Sequence, residues 1–138
     1  MAKILGIDYG KVITGLSITD TKQIFAFGLN ALPTKKLMIF LESFFYHEHI
    51  EKIVIGLPKK LNNKKEFLEK NIQKFIKKIR IKYPKIIIER IDERFTSKIA
   101  FQAMIKLGLK KKKRKKKEIL NQISATLILQ SYLIKNKN

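Results

Sequence analysis

Apolar residues in this chain follow two rhythms: short continuous or alternating runs that suit strands, and runs spaced three and four apart that suit helices. Three extended segments come first, near Lys3 to Tyr9, Ile13 to Thr19 and Ile24 to Asn30, separated by the turn-type residues Gly10, Asp20 and Lys22. They predict an antiparallel meander. Beyond Pro33, the residues Leu37, Phe40, Leu41, Phe44 and Phe45 recur at i, i+3, i+4, i+7 and i+8, one face of a helix with Thr34 as its expected N-cap. Ile53, Val54 and Ile55 are continuously apolar and stop at Gly56, Leu57 and Pro58, so they predict a strand buried on both faces. A second amphipathic helix follows, with Leu68, Ile72, Phe75, Ile76 and Ile79 on one face and an end before Pro84. Ile86, Ile87 and Ile88 predict another buried strand, which runs toward Asp92.

Thr96 or Ser97 is expected to cap a third helix that closes at Gly108. Lys110 to Lys117 is an unbroken basic run whose self-repulsion predicts a mobile loop or a frayed helix start. A last helix carries Leu120, Ile123, Leu127 and Ile134 as an apolar stripe, and Ser124 and Ala125 are small enough for close approach to another element. A disordered tail is expected at Asn136 to Asn138. The order of elements predicts one α/β domain over residues 1–138, with a central five-stranded mixed sheet, antiparallel at first and parallel later, flanked by helices.

Charge changes this picture. The chain has 138 residues, with 31 Lys and Arg against 11 Asp and Glu, a formal net charge of +20. Such a balance attracts polyanions, because each cation near a phosphate releases condensed counterions. The basic residues are 27 lysines and 4 arginines, which points to phosphate contact more than base readout, although an AT-rich genome also inflates lysine. No cysteine is present, which excludes thiol catalysis, disulfides and thiolate metal sites. There is no apolar run of membrane-spanning length and no cleavable leader, so a cytoplasmic protein with no membrane partner is expected.

Candidate chemistry begins at Asp8, a lone carboxylate that an apolar strand delivers into a glycine turn. An acid placed there suits a divalent metal or work beside phosphates, and it equally suits a hairpin in which it accepts turn hydrogen bonds.

Asp8 at its strand end, "IVIGLP" (Ile53 to Pro58), "DERFTS" (Asp92 to Ser97) and "NQISATLILQSYL" (Asn121 to Leu133) together resemble the YqgF family. Its members are known as pre-16S rRNA nucleases or Holliday junction resolvases of the ribonuclease H-like fold. The resemblance runs from Lys3 to Leu133. It implies that fold, a Mg2+ or Mn2+ cofactor, and hydrolysis of phosphodiester bonds in structured RNA, most specifically the 5′ end of precursor 16S rRNA in ribosome biogenesis. It also implies Asp8 and Glu93 as catalytic metal ligands, with Asn121 at the third position of the set. Arg94 beside them suits a phosphate grip or a salt bridge, and Thr96 and Ser97 suit phosphate donation or helix capping.

The chain departs from the family in two places. Asn121 stands where relatives have Asp, and an amide oxygen can coordinate a hard cation but brings no charge. Glu118, one turn earlier, suits a compensating acid or a solvated helix start. Val12 and Ile13 stand where relatives place a basic pair, with Lys11 as a partial substitute. The basic run Lys110, Lys111, Lys112, Lys113, Arg114, Lys115, Lys116 and Lys117 suits a cationic arm along nucleic acid, or a solvated lysine tract. Cleavage of DNA junctions, or RNA binding in ribosome assembly with weakened chemistry, are the alternative functions.

Overall fold

The structure is a computed structural model that describes residues 2–58, 63–92 and 113–136. Five strands form one sheet: β1 (Lys3–Asp8), β2 (Ile13–Thr19), β3 (Ala26–Pro33), β4 (Ile50–Leu57) and β5 (Ile87–Asp92), in the spatial order β3-β2-β1-β4-β5. The pairs β1–β2 and β2–β3 are antiparallel, while β1–β4 and β4–β5 are parallel. The described helices are α1 (Leu37–His47), preceded by a 3-10 turn at Thr34–Lys36, then α2 (Asn63–Lys82) and α3 (Lys113–Lys135). The mixed sheet with its antiparallel start therefore forms as the sequence predicts.

Strand alternation divides the core into two layers. Leu5 and Ile7 of β1, Leu16 of β2, and Ile53 and Ile55 of β4 face α1 and α2, where they pack with Leu37, Leu41, Ile72, Phe75, Ile76 and Ile79. Ile4 of β1, Val54 of β4 and Ile91 of β5 face the opposite way and pack on Ile128, Leu129 and Tyr132 of α3. β1 and β4 are central strands covered on both sides, which explains their unbroken apolar runs.

Several expectations are corrected. The third strand starts at Ala26 rather than Ile24, because Asp20 Oδ1 accepts hydrogen bonds from the N–H groups of both Ile24 and Phe25 (2.8 Å each). Those two amides are committed to the turn, in which Gln23 adopts φ 57°. β5 is an edge strand and not a buried one, with Ile87 55% exposed. Thr34 makes no side-chain cap. Its hydroxyl donates across the sheet to the Gly10 carbonyl (2.7 Å) and accepts from the buried Thr14 hydroxyl (2.8 Å), and its N–H donates to the Val12 carbonyl (2.8 Å). Thr34 thus clamps the loop that follows Asp8.

The stripe expected on the last helix is also displaced. Ser124, Ala125, Ile128, Leu129 and Tyr132 are buried, while Leu120, Ile123 and Leu127 are half-buried and Ile134 is 68% exposed. Apolar residues occupy so many positions of this helix that periodicity alone does not choose a face. The small residues choose it, by letting the helix backbone reach the sheet. The end of the basic run, Lys113 to Lys117, opens α3 as the helix-start alternative had it, and is not a loop. Lysine and arginine are good helix formers once neighbouring turns propagate. Asn136, placed in a disordered tail by the sequence, is tied to the Tyr132 carbonyl through its N–H (3.0 Å) and its side-chain amide (2.9 Å). The expected third helix lies outside the described residues.

Candidate functional site

The parallel strands β1, β4 and β5 share one carboxyl end, the usual place for ligands in an open α/β sheet. Asp8 is the last residue of β1 and is half-buried there. It lies an even number of residues from Ile4, so it belongs to the α3 face of the sheet.

What brings α3 to Asp8 is the absence of a side chain. Gly15 of β2 is the register partner of Asp8. A Cβ placed on Gly15 would collide with the main-chain carbonyl of Asn121. α3 therefore crosses β2 with its backbone directly on Gly15, and Asn121 comes to the same end and the same face of the sheet as Asp8. Two further bonds fix the helix on its bed: the Ser17 hydroxyl donates to the Ala125 carbonyl (2.7 Å), and the Ala26 N–H donates to Gln130 Oε1 (3.0 Å). Gly28 of β3, the register partner of Ser17, leaves room for the Gln122 side chain. The sequence separates Asp8 from Asn121 by more than a hundred residues, and these contacts join them.

Glu93 lies outside the described residues, as do Arg94, Thr96, Ser97, Lys110, Lys111 and Lys112. Asp92 ends β5 opposite Leu57 and shares the strand parity of Arg90, the face away from α3. Lys11 is exposed in the loop after Asp8, beside the exposed Val12. Glu118 is half-buried, three residues before Asn121 on α3. Among the described residues, no group of three His, Cys, Asp or Glu side chains is placed to hold a metal ion.

One supporting residue escaped the sequence reading. Arg90 of β5 donates from both terminal nitrogens to the Glu69 carboxylate of α2 (2.9 and 2.8 Å), and reaches the carbonyls of Ile55 (3.3 Å) and Gly56 (2.9 Å). Gln73 adds a bond to the same carboxylate (2.6 Å). The Arg90 guanidinium, then burial acting in opposition, then Gln73 leave the Glu69 carboxyl below its ordinary pKa. This fork ties the carboxyl end of β4, at Ile55 and Gly56, to α2. A planar five-donor head can do this and an ammonium cannot, so an arginine in a chain so rich in lysine was the available signal.

At the far end of the sheet, Lys52 donates to the Tyr132 hydroxyl (2.6 Å) and pairs with Glu89 (3.4 Å). The Tyr132 hydrogen bond raises the Lys52 pKa against partial burial. This cluster pins the C-terminal part of α3 and lies away from Asp8.

Comparison with known proteins agrees with this architecture. A family model described as "RuvX: Holliday junction resolvase" matches residues 2–135. A protein of Karelsulcia muelleri is 48% identical over 136 residues, covering 96% of this chain and 99% of its own. One of Phocaeicola vulgatus is 47% identical over 137 residues, covering 99% of each, and one of Bacteroides fragilis is 45% identical over 133 residues, covering 96% of each. All three are provisionally named pre-16S rRNA nuclease. Among solved structures, the chain is similar to Thermus thermophilus RuvC in complex with Holliday junction substrate (TM-score 0.57, 10% identity, 98% and 96% covered). It is similar also to the Fowlpox virus resolvase in complex with junction DNA (TM-score 0.58, 13% identity, 99% of each covered). At such identities these two show a shared fold, the ribonuclease H-like one.

Proposed function

Because this chain belongs to the RuvX (YqgF) family, we propose that it is a divalent-metal-dependent endonuclease that hydrolyses phosphodiester bonds in structured RNA, acting on the 5′ end of precursor 16S rRNA. The observation that supports the reading is that the bare backbone of Gly15, register partner of Asp8, admits the Asn121 turn of α3 to the end and face of the sheet where Asp8 lies. The substrate comes from the names of the relatives.

Asp8 and Asn121 offer oxygen donors alone, the chemistry that Mg2+ or Mn2+ prefers. The described residues hold no complete acidic set, so Glu93 is the third donor in this reading. A bound divalent ion would activate water and neutralise charge on the leaving oxygen. The protein's own part is to hold Asp8 at a fixed height through the Thr34 clamp and to hold the Asn121 turn of α3 through Ser17. Lys11, Arg94, Thr96, Ser97 and the basic run from Lys110 to Lys117 would contact the substrate backbone. A cytoplasmic site of action follows from such a substrate.

The family description and the junction-bound structural neighbours favour a second reading, cleavage of branched DNA by the same residues.

The test is cleavage of a labelled 5′ fragment of precursor 16S rRNA in Mg2+ or Mn2+, with a four-way DNA junction in parallel. Specific cutting of the RNA, abolished in Asp8→Ala and raised in Asn121→Asp, is the expected result. Cutting of the junction alone would transfer the activity to DNA. Silence in all three proteins, with RNA still bound, would leave an assembly factor without chemistry.

A further inference from the structure

The residues that follow Asp8 open onto a second feature, on the opposite face of the sheet from α3. Tyr9 points toward α1 and α2, where its ring lies 5.5 Å from Phe75 at 41°. Around this pair runs a groove of about 380 Å³. Four lysines form its rim: Lys11 from the loop after β1, Lys35 from the turn before α1, and Lys74 and Lys78 from α2. Three separate chain segments supply them. All four are exposed.

Among the described residues, the groove carries a concentrated positive charge with no acidic residue in its lining. Lys3, Lys52, Lys82 and Arg90 each pair with a glutamate. Among the described residues, none of the four rim lysines has a carboxylate partner. Asn71, Lys74 and Lys78 recur at i, i+3 and i+7, so α2 turns a polar and cationic ridge to the groove beside the apolar stripe that it buries. The floor is apolar and aromatic, and the rim is cationic. That combination fits a single strand, whose bases can lie on the floor while its phosphates meet the lysines. A duplex keeps its bases stacked inside and would leave the floor unused.

We infer that this groove holds a single-stranded nucleic-acid segment flanking the cleavage site, led past the carboxyl end of β1 from Asp8 and along α2. The inference rests on the nuclease reading and adds to it the form of the substrate: a structured element with an unpaired tail. From Asn71 to Lys78 the helix rises roughly 10 Å, so the groove continues away from Asp8 along the sheet face.

The experiment measures binding by fluorescence anisotropy in EDTA, where cutting is suppressed. The two probes are an RNA hairpin with a single-stranded 5′ tail and the same hairpin blunt-ended. Native protein is compared with Lys74→Gln/Lys78→Gln and with a charge-matched control, Lys22→Gln/Lys135→Gln, at distant exposed positions. The groove variant is expected to lose its preference for the tailed hairpin, and its plot of log affinity against log salt should flatten by about 1.4, at ~0.7 for each lost single-strand phosphate contact. The control should weaken both probes alike and keep the preference. A groove variant that matches the control overturns the groove while native cleavage of the RNA still upholds the nuclease reading. Equal loss on both probes, larger than that of the control, overturns the single-stranded occupant in favour of a duplex. A native protein that neither binds nor cuts either RNA overturns both proposals together.

Discussion

Gly15 is the residue on which the candidate site turns, because the space of its missing side chain is filled by the backbone of Asn121. Gly15→Ala would force α3 off β2, since the obstruction is main chain and cannot rotate away. A loss of about 2–3 kcal/mol is expected, in the range of other overpacked cores, together with reduced cleavage. Gly28→Ala is the matched comparison. Its added methyl would meet the side chain of Gln122, with Nε2 at 2.6 Å, and that side chain can swing toward solvent. Its cost should stay below ~1 kcal/mol. Urea unfolding of the two variants checks the difference, and equal costs would mean that α3 rides on the sheet less tightly than the Asn121 contact implies. None of this was legible in the sequence, where Gly15 reads as one small residue in an alternating strand. Asp8 was legible, because a lone acid interrupts an apolar run where the strand ends.

At the scale of elements, the two buried faces of β4 and the buried stripe of α2 followed from local periodicity, since both faces or one clear face had to be apolar. α3 did not follow, because its apolar residues almost encircle it and the buried face was settled by what Gly15 and Ser17 allow near the backbone. The union of β5 and α2 through Arg90 and Glu69 is likewise a product of packing. Glu69→Gln should destabilise the protein by about 1–2 kcal/mol at neutral pH, the range of a charged hydrogen bond that is partly exposed. The Glu69 carboxyl is held below its ordinary value of 4.5 by Arg90, so its contribution is present above that value and lost as pH falls through the lowered one. Denaturation midpoints of native protein and Glu69→Gln should thus differ at pH 7 and converge in acid, below pH 4.5. A gap that is constant with pH would show that shape at this position matters and charge does not.

For the whole molecule, a net charge of +20 on 138 residues means that the folded chain repels itself. The described ion pairs are few against that excess, and they hold junctions between elements. Raising salt from about 10 to 200 mM shortens the Debye length from roughly 30 Å to under 10 Å, which relieves the repulsion and weakens phosphate contacts together. The melting temperature should therefore rise across this range while affinity for RNA falls. Calorimetry and anisotropy on the same preparation check the opposition, and a melting temperature that falls with salt would show that attractive surface pairs outweigh the excess charge.

Legible in the chain alone were the five strands, the helices among the described residues, the mixed sheet, the double-sided burial of β4, the acid at the end of β1 and the polyanion-seeking charge. Each of these depends on residue types and spacings within a few turns of chain, where side-chain direction repeats with a known period. Its four motifs also carried the family, over nearly the whole chain. Only the fold settled which side of α3 is buried, that Asn121 packs on Gly15 beside the end of β1, that Arg90 braces the carboxyl end of β4, and that Lys11, Lys35, Lys74 and Lys78 share one rim. Those facts join residues far apart in the chain. Close packing and the pairing of buried charge select among arrangements that local spacing leaves equal, so they became readable once the segments met.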